Sequence, residues 1–174
     1  MADSKKSPPP RSNAFVLFLL SQVGAHASAC FSDRIAPLGL KPYHAGILSV
    51  LGNNAGLTQQ ALADLLGMFP SRLVALLDEM GKLKLIERRE SPSDRRTYAL
   101  HLTKAGHDAW MKVGQLSVLL QDDLCAALNE KERAALADML NRMVAEQKIT
   151  PGVHPGFRRM GGACGDKDTP GGKG

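Results

Sequence analysis

Residues 57–103, LTQQALADLLGMFPSRLVALLDEMGKLKLIERRESPSDRRTYALHLT, read as two short helices followed by a basic hairpin, and the remaining chain is arranged around them. Thr58 is an N-cap residue, Leu62, Leu65 and Leu66 share one helical face, and Gly67 stands where the chain must turn left-handed to leave the helix. After a tight turn, Pro70 suits the first position of a second helix whose apolar stripe is Leu73, Leu76, Leu77, Met80 and Leu83. Residues 85–90 and 97–102 carry β-formers, and SPSDRR between them is turn chemistry ending in two arginines. The pattern predicts a winged helix-turn-helix, with the second helix as recognition helix and the hairpin as wing.

Working outward, residues 1–11, MADSKKSPPPR, are polar and proline-rich and read as a disordered tail. Asn13 is placed to cap a long helix to about Ile35, and Pro37 and Gly39 break it. Pro42 opens a second helix, with Ala45, Ile47, Leu48 and Leu51 as support for the helix-turn-helix and Asn53, Asn54 and Gly56 as its end. Beyond the wing, Thr103 caps a helix to about Leu128 with the stripe Val113, Leu116, Leu120, Leu124 and Ala127. Asn129 and Glu132 form a capping pair for a last helix striped by Leu136, Met139, Leu140, Met143 and Val144. A small winged lobe cannot cover all of these stripes, so residues 13–36 and 104–148 are expected to dimerise. Residues 149–174, rich in glycine and proline, read as a second tail. The fold class is therefore mainly α with a small β component: one domain over 12–148, its winged helix-turn-helix at about 42–103.

At 174 residues and 44% apolar, the chain can bury one ordinary core. Its net charge of +5 favours an anionic partner, and residues 82–104 hold seven basic side chains against three acidic ones, concentrating the excess on the hairpin region. Cys30, Cys125 and Cys164 have neither metal spacing nor an even count, which points to free thiols in a reducing, cytoplasmic compartment. Lys5, Lys6 and Arg11 precede AFVLFLL, and ASAC at 27–30 has the look of a lipoprotein cleavage site. Against that, Val16, Leu20, Val23, Ala27, Cys30 and Phe31 keep a helical period through it. By this reading no segment is long enough to span a membrane. The five histidines fall in no HExxH, and neither CxxC nor GxSxG occurs, so neither an enzyme nor a cofactor is expected.

LTQQALADLLG, the LIERR run and above all SPSDRRTYALHLTKAG resemble the MarR family of bacterial transcription regulators, over about Asn13 to Met143. Two positions depart from the family pattern: Phe69 stands where a capping Ser or Asp is usual, and Lys84 replaces the usual glycine before the wing. The resemblance implies a homodimeric DNA-binding regulator, most often a repressor, on a pseudopalindromic duplex operator. It also implies that Asp94 steers Arg96, and that a small aromatic effector can relieve repression.

From the residues themselves, the DNA face takes in Thr58 and Gln59 at the start of the first helix and Ser71, Arg72 and Ala75 on the recognition helix. Arg72 suits guanine or a phosphate, Ser71 a phosphate and the Ala75 methyl a thymine methyl. Arg88, Arg89, Asp94, Arg95 and Arg96 belong to the wing, whose tip carries the guanidinium groups of Arg95 and Arg96 to a narrow minor groove. The alternative is a solvated helix in a winged module that binds no DNA. For the effector, Phe31, Arg34, Tyr43 and His44 lie near the break at Pro37 and Gly39, with Arg34 or His44 placed to meet the carboxylate of a small aromatic or phenolic acid. The alternative is that they pack the junction. Cys30 invites a redox-responsive reading, set against an inert thiol in an apolar stripe.

Overall fold

The computed structural model describes residues 14–90 and 98–157. Its elements are α1 (Ala14–Ile35), α2 (Pro42–Asn53), α3 (Gln59–Leu66), α4 (Pro70–Lys82), β1 (Ile86–Glu90), β2 (Tyr98–Leu102), α5 (Lys104–Leu124) and α6 (Glu130–Glu146). A single 3-10 turn, Ala36–Leu38, follows α1 and closes on Gly39 at φ 70°, so the expected break is where Pro37 and Gly39 put it. Asn13, the expected cap of α1, lies outside the described residues, as do the tail at 1–11 and the SPSDRR tip.

Local chemistry sets the helix ends. The Thr58 hydroxyl accepts from Ala61 N at 3.1 Å to start α3, and Gly67 ends it at φ 63°. Thr103 accepts from Gly106 N at 3.0 Å to start α5, and Asn129 and Glu132 exchange bonds of 3.0 and 2.8 Å at the start of α6. Phe69, with no side-chain oxygen, leaves the first turn of α4 without a side-chain cap.

β1 and β2 pair antiparallel from Ile86↔Leu102 to Glu90↔Tyr98. The segment before α3 joins them, because Leu100 N donates to Leu57 O at 2.9 Å and Gly56 N to Leu100 O at 3.1 Å. The hairpin is thus tied to the front of the helix-turn-helix as well as to the end of α4. The core beneath is fully buried Leu48, Leu51, Leu62, Leu66, Leu73, Leu77, Met80 and Leu100, each of the large aliphatic side chains contributing ~1.5–3 kcal/mol. Two close approaches fix the frame. A side chain at Gly52 would lie 2.5 Å from the Trp110 ring, so α5 lays its tryptophan directly on α2, and one at Gly106 would lie 1.9 Å from Leu85 O.

Several sequence expectations are corrected. Leu83 is 46% exposed because α4 stops at Lys82, and Leu65 points out of the core. α5 ends at Leu124, and the turn after it is held by Arg133 Nε, which donates to Cys125 O and Leu128 O. Leu120, counted in the dimer stripe, is buried within its own protomer. The chain does not trail away at 149: residues 150–157 fold back, and Phe157 lies on Gly46 of α2, only 4% exposed. Finally, Phe15–Leu38, 24 residues that include an 18-residue stretch of mean hydropathy 1.5, is long and apolar enough to cross a membrane by length and composition. Counting uninterrupted apolar residues missed this, since Ser21, Gln22 and His26 break the run without lowering the average of a whole helix.

Candidate nucleic-acid interface

The buried stripe of α4, Leu73, Leu76, Leu77 and Met80, turns Ser71, Arg72, Ala75 and Asp78 to solvent. Ser71, Arg72 and Ala75 therefore share the outward side of the helix's first half, where Pro70 has no N–H and the amides of Arg72 and Leu73 turn back to Phe69 O. Thr58 spends its hydroxyl on capping α3, and Gln59 beside it is half-buried. Two of the expected wing contacts are already engaged within the chain: Arg88 reaches Asp78 Oδ1 of α4 at 2.8 Å, and Arg89 Nε reaches Glu87 Oε1 at 2.9 Å. Arg88 hence fixes the hairpin to α4. Asp94, Arg95 and Arg96 lie outside the described residues.

Glu79 has a role that sequence reasoning missed. Its carboxylate faces the start of α2, where Lys41 Nζ lies 2.9 Å from Oε1 and Tyr43 Oη 3.0 Å from Oε2. His44 is buried beneath Tyr43, with ring centroids 4.4 Å apart and edge to face, and its Nε2 is 3.5 Å from Glu79 Oε1. Its Nδ1 accepts from Lys41 N at 3.2 Å. Burial holds the His44 pKa below the ordinary histidine value despite the opposing pull of Glu79. Glu79 is held below the ordinary carboxylate value by Lys41, with Tyr43 adding to the effect, and Lys41 is raised by Tyr43 and Glu79. The spacing of α2 and α4 in sequence carried no sign of this cluster.

Behind α2 a cavity of about 840 Å³ opens between α1, α2, α5 and the folded-back 150–157 segment. Phe31, Tyr43, Trp110, Val113 and Phe157 are its principal walls. Phe31 and Tyr43 were expected there. Arg34 and His44 were not brought to it: Arg34 is paired with Asp123 of α5, and His44 is turned toward Glu79. With no acidic side chain, lysine or arginine among its lining residues, the cavity has apolar and aromatic surface, a few hydroxyls and His154 to offer. Glycines at 46 and 52, inside a helix where they cost stability, were the available sign that rings from elsewhere press on α2. Cys30 is half-exposed, not buried, and its Sγ lies 3.5 Å from His26 Nε2 one turn earlier.

Residues 38–97 match the MarR family. A protein of Thauera aromatica named for a transcriptional regulatory role at the hcr operon is 35% identical over 113 residues, covering 65% of this chain and 68% of that protein. Among solved structures, the transcriptional repressor CouR bound to a 23-mer DNA duplex is 28% identical with a TM-score of 0.68, over 80% of this chain and 99% of that one. A mutant MarR from E. coli complexed with operator DNA has the same fold at 22% identity and a TM-score of 0.64, over 78% of this chain and 99% of that one. With two helices joined at a turn, a hairpin tied to them, a match to the family over 38–97 and a relative named for transcriptional regulation, the chain belongs to the MarR family of winged helix-turn-helix transcription regulators.

Proposed function

We propose that this protein is a homodimeric repressor acting in the cytoplasm, which binds a pseudopalindromic duplex operator and releases it when a small aromatic ligand enters the cavity behind α2. The observation that carries the DNA reading is the outward row Ser71, Arg72 and Ala75 beside the start of α4. Arg72 reads a guanine edge or grips a phosphate, Ser71 takes a phosphate, and Ala75 meets a thymine methyl. Arg95 and Arg96, with Asp94 orienting Arg96, enter the flanking minor groove. Arg88 and Arg89 are already held by Asp78 and Glu87, so they support the wing and contribute phosphate attraction at most through their remaining N–H groups.

The second copy is supported by the apolar surface one protomer leaves in water. Phe15, Leu17 and Phe18 on α1, Val118 and Leu119 on α5, and Leu140 and Met143 on α6 are between 38% and 78% exposed. Apolar exposure on this scale marks a contact with another chain. The ligand follows from the cavity wall, whose lining favours an uncharged aromatic molecule over the aromatic acid anticipated from Arg34 and His44.

Selection of bound duplexes from a random pool tests the DNA reading. Half-sites about one helical turn apart, ~10 base pairs, are expected. Arg72→Ala relaxes base preference and Arg96→Ala weakens binding across sequences. Unchanged gel shifts for both variants refute the assigned face.

A further inference from the structure

The cavity and the recognition helix share one side chain. Tyr43 sits in the first turn of α2, lines the cavity and sets its hydroxyl on Glu79 of α4, 3.0 Å from Oε2 and 3.3 Å from Oε1. Among the described residues, the side-chain hydrogen bonds between the start of α2 and α4 all end on Glu79, coming from Lys41 and Tyr43, while His44 Nε2 lies 3.5 Å from its Oε1. Lys41 Nζ stands 5.4 Å above the Tyr43 ring, so the ring also helps to place the cation. Glu79 lies seven residues beyond Arg72, which at 1.5 Å per residue is ~10 Å along the same helix.

We infer that Tyr43 is the positioning residue that carries cavity occupancy to the recognition helix, an inference that rests on the cavity being the effector site. A phenol is rigid, so its two ends move together. A displacement of its ring by ~1 Å in the cavity takes the hydroxyl beyond hydrogen-bonding range of Glu79. Glu79 then keeps Lys41 and the more distant His44, and the pose of α4 that Tyr43 held is no longer favoured. A ligand acts on operator affinity only through a difference between two such states, and Tyr43 makes its hydrogen bond in one of them. The coupling is reciprocal, so bound operator weakens the ligand by the same factor.

The test uses biphenyl-4-ol, an aromatic molecule uncharged at neutral pH. Its binding is read from quenching of Trp110, the sole tryptophan and a lining residue of the cavity. Operator affinity is read from anisotropy of a labelled selected duplex, using the full chain. In the wild type, saturating probe is expected to raise the operator Kd by about tenfold or more. Tyr43→Phe retains the ring, so its probe Kd stays within about threefold of wild type while the probe's effect on operator Kd falls to about threefold or less. Glu79→Met, which has no oxygen to accept the Tyr43 O–H, behaves similarly, and the double variant loses no more than either alone. Equal probe effects in wild type and Tyr43→Phe overturn the relay and leave the effector cavity standing. If the probe fails to quench Trp110, or quenches it without moving wild-type operator affinity, the relay and the effector cavity fall together.

Discussion

Gly106→Ala is the sharpest perturbation that the structure offers. The added methyl group would sit 1.9 Å from Leu85 O and 3.0 Å from Leu85 C, both backbone atoms that no rotamer change can move. Relief requires the start of α5 to back away from Leu85, just ahead of β1, by more than 1 Å, and what it backs away from is specific. Thr103 N donates to Leu85 O at 3.1 Å, Thr103 Oγ1 donates to Lys84 O at 2.5 Å, and the same Oγ1 caps Gly106 N at 3.0 Å. Overpacking costs ~1–3 kcal/mol, a strained hydrogen bond ~1 kcal/mol and a weakened cap ~1 kcal/mol, so a loss of about 3–5 kcal/mol is expected. That is a large part of the ~5–15 kcal/mol that holds a domain of this kind folded. Urea unfolding followed by circular dichroism measures it. Gly114→Ala, in the same helix with nothing within 4 Å of the new methyl, serves as the control and should gain ~0.5–1 kcal/mol. A Gly106→Ala protein within about 1 kcal/mol of wild type would refute the close approach of α5 to Leu85 and the account of the LTKAG turn built on it.

Lys84 adopts φ 55°, so Lys84→Gly should stabilise the protein by ~1 kcal/mol, seen as a higher urea midpoint at unchanged slope. Leu140→Asp, at a position 38% exposed on α6, should leave helix content intact while sedimentation velocity reports monomers at micromolar concentration; a folded dimer would remove α6 from the interface. Acid should destabilise the fold in two stages. His44 binds its proton less readily folded than unfolded, so its contribution is complete above about pH 6.5 and declines below it. Glu79, held down by Lys41, adds a second loss only below about pH 4.3. Thermal unfolding across pH 7.5–5 should show the first loss in wild type and a flatter profile in His44→Gln; parallel profiles would contradict it.

The sequence by itself determined the helix-turn-helix, because the chemistry there is local. Thr58, Gly67, Pro70, Thr103 and Asn129 act on amides and turns within a few residues of themselves, and Leu73 to Met80 repeat at a helix's own period. The exposure of Ser71, Arg72 and Ala75 follows from that stripe by subtraction. What only the tertiary structure decided are meetings between residues far apart in the chain. Arg34 and His44 looked available for a ligand's carboxylate until α5 brought Asp123 to the one and α4 brought Glu79 to the other. Phe157 read as part of a tail because a lone aromatic among glycines has no period, and its burial depends on Gly46 lying open on α2. Burial and charge pairing are properties of position in space, and sequence spacing encodes position in space only over the few residues that one turn or strand fixes.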